Sequence, residues 1–167
     1  LQNGAKKIFA IDSGYNQLSE KLKSNKNVVS LEKTNIRNLD LTLFNNIDIV
    51  VIDVSFISIT KVLCLLNNFI LDHTDVIALI KPQFEAGLKH LNKKGIVKDK
   101  KVHLKVLEQV YNSIIENKLI VQNIVVSPIS GGDGNIEYLL HIKKNENNSG
   151  LNLTKFIDLA KCQVYGS

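Results

Sequence analysis

The sequence has no methionine and no tryptophan, and only two prolines and two cysteines among its 167 residues. With Cys64 in an apolar helical pattern and Cys162 in the C-terminal tail, there is neither a disulfide framework nor a set of thiols at metal-ligand spacing. No zinc site is expected, and both thiols read as buried or inert in a reducing compartment. Long hydrophobic runs are also lacking. The apolar stretches are broken at Asp53, Asn67 and Asn68, short of the roughly 20 residues that a spanning helix needs. No charged-then-apolar leader opens the chain, so a cytoplasmic protein with no membrane partner is expected. A methionine-free chain opening Leu1-Gln2-Asn3-Gly4-Ala5 reads as part of a longer protein, because that segment looks like a helix end with a glycine near its C-cap.

What is present is ordinary globular composition: 44% hydrophobic and 22% charged residues, enough in a chain of this length to bury one core. The patterning predicts strand 7–11, helix 15–24, strand 27–31, an irregular or helical piece 36–45, strand 48–53, helix 59–71 and strand 75–80. A basic loop follows, then helix 101–117, strand 119–126, a loop, strand 136–143 and a tail with a weak helix near 153–161. Strands alternating with helices argue for an α/β fold with a parallel sheet and right-handed crossovers. The clearest helix carries Val106, Leu107, Val110, Tyr111, Ile114 and Ile115 as one apolar stripe, with Lys105, Glu108, Gln109, Asn112 and Glu116 away from it.

Three of the apolar runs stop at a polar or charged residue: Ile8-Phe9-Ala10-Ile11 at Asp12, Ile49-Val50-Val51-Ile52 at Asp53, and Val76-Ile77-Ala78-Leu79-Ile80 at Lys81. In an open parallel sheet the crevice outside the carboxyl ends of the strands binds ligands, so Asp12, Asp53 and Lys81 are candidates for one rim. Pro82 restricts Lys81 to extended backbone. The last two strands join through a glycine-rich link, Ser127 to Asn135, and should pair antiparallel at one edge of the sheet. This link runs into a strand and not a helix, so it is no phosphate cradle. Alternation there places Ile136, Tyr138, Leu140 and Ile142 on one face and Glu137, Leu139 and His141 on the other. If the strand runs antiparallel, Glu137 reaches the same rim.

The formal charge of +5 favours a polyanionic partner. Between Leu88 and Lys105 stand Lys89, Lys93, Lys94, Lys98, Lys100, Lys101 and Lys105 with His90 and His103, against the single acid Asp99. A basic loop beside a catalytic crevice suits a phosphate backbone, which lysines hold without reading sequence. Lys89, Lys93, Lys94 and Lys98 are the candidate phosphate contacts.

Three segments carry a family resemblance: Asp53-Val54-Ser55-Phe56-Ile57-Ser58, Lys81-Pro82-Gln83-Phe84-Glu85-Ala86-Gly87 and Gly134-Asn135-Ile136-Glu137-Tyr138-Leu139-Leu140. In order and spacing, from about Asn3 to Ile142, the chain resembles the TlyA (hemolysin A) family within the FtsJ-like methyltransferases. The resemblance implies a Rossmann-like, S-adenosylmethionine-dependent methyltransferase sheet with helices on both faces, mostly parallel with an antiparallel edge pair. It implies a partial methyltransferase domain over 1–144 and a C-terminal tail over 145–167. The first strand, the glycine-rich loop and an S4-type RNA-binding domain would lie upstream. It further implies 2'-O-methylation of ribosomal RNA, with ribosomal RNA or ribosomal subunits as partners.

The family's Lys-Asp-Lys-Glu tetrad maps its last three members onto Asp53, Lys81 and Glu137. Lys81 is then the residue that activates the hydroxyl, Asp53 its orienter beside the methyl donor, and Glu137 a positioning group. Asp12 matches the acid that meets the cofactor ribose, and Asn35 stands where the family contacts the adenine region. Methyl transfer to a ribose 2'-hydroxyl is an in-line displacement that needs positioning and a proton acceptor. The 2'-hydroxyl marks RNA as the substrate. The chain departs from the family at Leu88 (often arginine), at Asn92-Lys93-Lys94-Gly95 (often Gly-Lys-Gly-Gly), at Lys98-Asp99-Lys100 (often Arg-Asp-Pro) and at Gly132 (often proline). These are loop positions and bear on RNA contacts more than on the fold. With its central strand elsewhere, the chain alone is expected to bind the cofactor abnormally and to be open to self-association through the gap. Two other readings remain: an RNA-binding module without catalysis, and a membrane-damaging hemolysin. The second lacks any apolar surface of the kind it would need.

Overall fold

A computed structural model describes residues 1–131, 134–145 and 149–166, so Gly132 and Asp133 of the glycine-rich link lie outside the described residues. The chain forms two compact units, Leu1–Leu43 and the remainder from Phe44.

In the first unit, β1 (Ile8–Ile11) and β2 (Val28–Leu31) pair in parallel, from Ile8 opposite Val28 to Ile11 opposite Leu31. The expected helix 15–24 shrinks to the single turn α1 (Glu20–Lys23). The cause lies in Glu32, just beyond β2, whose carboxylate accepts the backbone N–H groups of Asn16, Gln17 and Leu18 at 3.1, 3.0 and 3.3 Å. Those amides cap an anion, and Asn16 adopts the left-handed conformation (φ 58°). Burial opposes the charge on Glu32, but these donors and Lys23 outweigh it and hold the carboxyl below its ordinary range. The irregular stretch that follows contains two 3-10 turns, Ile36–Asn38 and Leu41–Phe44.

The second unit is built on four strands, β3 (Ile49–Ile52), β4 (Asp75–Ile80), β5 (Leu119–Val126) and β6 (Tyr138–Lys144), in the order β3-β4-β6-β5. β3 and β4 are parallel, while β6 runs antiparallel to both β4 and β5. Its helices are α2 (Thr60–Leu66), the one-turn α3 (Pro82–Glu85), α4 (Lys100–Glu116) and α5 (Leu153–Tyr165). Leu63 and Leu66 of α2, Val106, Leu107 and Ile114 of α4, and Val76, Ala78, Ile80, Leu140 and Ile142 of the sheet are all essentially solvent-free. Their period of 3.6 in the helices and 2 in the strands brings one face of each element to a common core.

Several sequence expectations change. Ile115 is 41% exposed and leaves the α4 stripe, whereas His103, grouped above with the basic loop, is 3% exposed and joins it. Lys100, Lys101 and Lys105 belong to α4 and not to the loop. Both cysteines are exposed, and Cys162 sits within α5. Cys64 is turned out because the buried positions of α2 are Val62, Leu63 and Leu66. Ile136 is 37% exposed and precedes β6, while Glu137 is only 6% exposed.

The C-terminal segment packs along the outer side of β5. Leu151 N–H donates to Val121 O at 2.8 Å and Gln122 Nε2 donates to Ser149 O at 2.8 Å. α5 then places Phe156, which is fully buried, on the ring of Tyr111 with centroids 4.7 Å apart. An edge strand with open backbone groups invites unwanted pairing, and this segment occupies that edge.

Candidate active site and basic rim

Strand register brings the site of the second unit together. Ile80 pairs with Tyr138, and Val126 pairs with the same residue. With Ile52 opposite Ala78, the ends of β3, β4 and β5 and the start of β6 share one rim. Asp53, Lys81 and Glu137 are the first residues past those strand ends.

Lys81 leaves β4 with extended backbone (φ −111°, ψ 97°), as a residue before proline should, and Pro82 opens α3 at its first position. Its Nζ lies 2.6 Å from Asp53 Oδ1 and donates to Ser55 Oγ at 3.0 Å. The lysine side chain is 13% exposed and that of Asp53 61%, so the pair is covered on the lysine side and open on the aspartate side. Two residues on, Gln83 Nε2 donates to Glu137 Oε1 at 2.8 Å. Gln83 Oε1 is buried without a partner among the described residues, a mismatch that ordinarily costs about 1–3 kcal/mol. One short segment thus addresses both acids, Lys81 turning to Asp53 and Gln83 to Glu137.

Phe56 is the least ordinary residue of the site. It is 88% exposed, adopts φ 65°, and lies with its ring centroid 5.0 Å from that of Phe84, which is 5.8 Å from Lys81 Nζ. A bulky residue in the left-handed region is strained, and such strain concentrates at functional sites.

The basic loop is pinned by half-buried Asn92 and by buried Asn135 and His103. Asn92 Oδ1 accepts from the N–H groups of Lys94 and Ile96 at 2.8 and 3.0 Å, and Gly95 takes φ 72° in that turn. Asn135 Oδ1 accepts from Val97 N–H at 3.3 Å, and Asn135 Nδ2 donates to Gly95 O at 3.2 Å. His103 Nε2 lies 2.8 Å from Val97 O, a pure acceptor, so that nitrogen carries the proton; Nδ1 then accepts from Tyr138 Oη at 2.9 Å. Burial pushes the Tyr138 phenol upward. These bonds fix the loop's backbone while Lys93, Lys94 and Lys98 remain exposed, as does Lys89 in the preceding 3-10 turn, Leu88–His90.

In the first unit, Asp12 and Asn35 follow the paired ends of β1 and β2. Asp12 N–H donates to Leu31 O at 3.1 Å, and Thr34 N–H donates to Asp12 O at 2.9 Å. Asp12 Oδ1 accepts from Gly14 N–H at 2.6 Å, and Asn35 Oδ1 caps the next turn through Arg37 N–H at 3.0 Å. Both side chains are exposed.

Sequence reasoning passed over Ser55, Phe56, Gln83, Glu85 and Asn135 as individual residues. Only Phe56 left a signal: a large aromatic just past a strand-ending acid belongs to neither the strand nor the helix pattern.

The FtsJ-like methyltransferase family model matches residues 1–144. The chain belongs to that family. FtsJ-like ribosomal RNA methyltransferases use S-adenosylmethionine as methyl donor. The provisionally named rRNA methyltransferase YqxC of Bacillus subtilis is 46% identical over 85% of this chain and 51% of its own length. Hemolysin A of Brachyspira hyodysenteriae is 41% identical over 84% and 60%. The 16S/23S rRNA (cytidine-2'-O)-methyltransferase TlyA of Mycobacterium tuberculosis is 35% identical over 86% and 54%. A solved structure from Streptococcus thermophilus, provisionally named a hemolysin, superposes with a TM-score of 0.87 at 38% identity, covering 99% of this chain and 60% of that one. The chain spans about half to three fifths of the length of these relatives. The FtsJ-like fold is Rossmann-like, and the parallel β3 and β4 beside the reversed β6 conform to it.

Proposed function

We propose that this chain is the larger part of the methyl-transfer domain of a ribosomal RNA ribose 2'-O-methyltransferase. The observation that carries the proposal is the Asp53–Lys81 contact at 2.6 Å, on the same rim as the buried Glu137. Residues 1–144 form the methyltransferase part, and 145–167 form a C-terminal segment. An upstream part of the whole protein supplies the first strand, the glycine-rich loop and RNA-binding surface.

The residues present suit the methyl donor. In the first unit, Asp12 is an exposed carboxylate closing β1 that offers acceptors to ribose hydroxyls, and Asn35, just past the end of β2, is the residue for the adenine end; in the second unit, Asp53 is the residue for the methyl-donor end. S-adenosylmethionine, when bound, supplies an electrophilic methyl group on sulfur. Lys81 holds the target 2'-hydroxyl and takes its proton, while Asp53 and Ser55 fix where the amine stands. Glu137, held by Gln83, positions the nucleotide. Phe56 presents an open aromatic face on which the target base stacks once it leaves its helix. Lys89, Lys93, Lys94 and Lys98 meet phosphates, which strengthens binding without reading sequence. The substrate is ribosomal RNA, free or within a subunit, and the enzyme works in the cytoplasm.

The names of two relatives invite a membrane-damaging reading. No helix among the described residues is long and apolar enough to cross a membrane. An RNA-binding module without catalysis is the alternative. The test is transfer of a labelled methyl group from S-adenosylmethionine to unmodified ribosomal RNA and ribosomal subunits by the full-length protein and its Lys81→Ala variant. Transfer by the parent and its loss in the variant, with donor binding intact, is the expected result. No transfer by a folded, donor-binding parent would overturn the enzyme reading in favour of the binding module.

A further inference from the structure

The loop from Asp53 to Ile59 carries every residue of β3's side of the site, yet it belongs to no helix or strand. It is held at three successive points. Lys81 takes Asp53 and Ser55 at 2.6 and 3.0 Å, Phe84 lies against Phe56 with centroids 5.0 Å apart, and Glu85 takes the far end. There Glu85 Oε2 accepts from Ser58 Oγ at 2.6 Å and Oε1 accepts from Ile59 N–H at 2.7 Å. Lys81 is the extended N-cap of α3, and Phe84 and Glu85 lie in its single turn, so the three meet the loop in chain order, first, middle and last. Gln83, between them, turns to Glu137 instead.

We propose that Glu85 is a positioning residue for methyl transfer. It acts through the Asp53–Ser58 loop and makes no contact of its own with substrate or donor, and the proposal rests on the methyltransferase reading above. The loop needs an anchor at its far end because Phe56 is held in left-handed backbone, a state that costs about 1–3 kcal/mol and persists only where neighbours over-determine it. Lys81 grips the loop before Phe56 and Glu85 grips it after, so the strained residue cannot relax in either direction. A carboxylate suits the task, since both of its partners are donors and charge-assisted bonds to N–H and O–H groups are short and strong. Ser58 Oγ is also 2.7 Å from Thr60 Oγ1, which gives the hydroxyl a second place for its proton.

That second place makes the proposal testable by a graded series. In Glu85→Gln the amide oxygen accepts from Ile59 N–H and the amide nitrogen donates to Ser58 Oγ, whose own proton turns to Thr60. Glu85→Asp keeps the charge but falls one methylene short of both partners. In the full-length protein, Glu85→Asp is expected to lower kcat at least tenfold, with KM for the donor and the thermal midpoint close to the parent's; Glu85→Gln should stay within about threefold. Equal kcat in parent and Glu85→Asp overturns the proposal, as does a loss that follows the thermal midpoint through both variants. A second measurement does not depend on activity: the nuclear Overhauser contact between the Phe56 and Phe84 rings should persist in Glu85→Gln and vanish in Glu85→Asp. Persistence in both variants sinks the positioning role. Absence of turnover in the parent would refute the methyltransferase reading while the ring contact still decides how the loop is held.

Discussion

Gly131 backs directly onto the carboxylate of Glu137, so closely that a Cβ built on the glycine would overlap Oε1 of the glutamate. The contact is with the far end of a side chain, so Gly131→Ala displaces Glu137 and does not break the backbone. The displaced carboxylate loses its bond from Gln83. Methyl transfer should fall by tenfold or more, while stability drops by about 1–3 kcal/mol, the typical cost of overpacking. Paired activity and melting measurements check this; unchanged activity would argue against a part for Glu137.

Lys81→Arg should keep the contact with Asp53 and lose the chemistry. A guanidinium holds its proton and cannot accept one from a hydroxyl. Removing a proton acceptor ordinarily costs about 10²–10⁴ in rate. Single-turnover transfer from labelled donor should fall into that range while RNA affinity stays near the parent's. Activity within a few-fold of the parent would show that the lysine acts by charge alone.

Phe56→Gly should separate folding from substrate binding. The ring is 88% exposed and its backbone angle is one that glycine adopts freely, so stability should hold or rise. Base stacking on an aromatic is worth about 1–3 kcal/mol, so RNA affinity should weaken roughly five- to 150-fold. Fluorescence anisotropy with a single-stranded ribosomal RNA fragment measures the loss, and equal affinity would remove Phe56 from the RNA site.

At the opposite end of β4, Asp75 Oδ1 lies 2.6 Å from His141 Nε2 and 3.2 Å from Lys143 Nζ. The hydrogen bond from His141, helped by Lys143 and opposed by burial, holds the Asp75 carboxyl below its ordinary range. A carboxyl lowered by folding stabilises the native state above its unfolded value and loses that contribution as pH falls through the folded one. The stability gap between the parent and Asp75→Asn should therefore be full at neutral pH and close in strongly acid solution. Because the Asp75 side chain is 43% exposed, the gap should be small, about 1 kcal/mol or less. Urea titrations across pH check the sign; a gap that widens in acid would contradict it.

Phe156→Ala should cost about 3–5 kcal/mol, because the ring is fully buried against Tyr111 and its removal leaves a cavity. Urea denaturation followed by circular dichroism measures the loss. A cost below about 1 kcal/mol would mean that α5 is an appendage.

Much of the sheet was legible because its strands are short apolar runs with abrupt polar ends, and those ends give the rim positions of Asp53 and Lys81 directly. Helix 15–24 was misjudged because its amides are claimed by Glu32, a partner about 15 residues away that no local pattern announces. His103 was misplaced for a different reason: its charge class suggested the loop, although 103, 106, 107, 110, 111 and 114 already follow the spacing of a buried stripe. Cys64 was misplaced when the whole of α2 was taken as apolar, without asking which positions the period of 3.6 selects. Gln83, Glu85 and Asn135 could not be singled out, since each matters through a contact 26 or more residues away along the chain.

β6 lies between β4 and β5, although it is the last of the four strands to leave the ribosome. Until residues 138–144 have been made, β4 and β5 have no neighbour across which to join, and the loop closure between them is paid before any ladder forms. Glu137 arrives with that closing strand, so the rim is completed in the same event that completes the sheet. A nascent or truncated chain that stops short of β6 lacks both the strand that β4 and β5 share and the second acid of the rim.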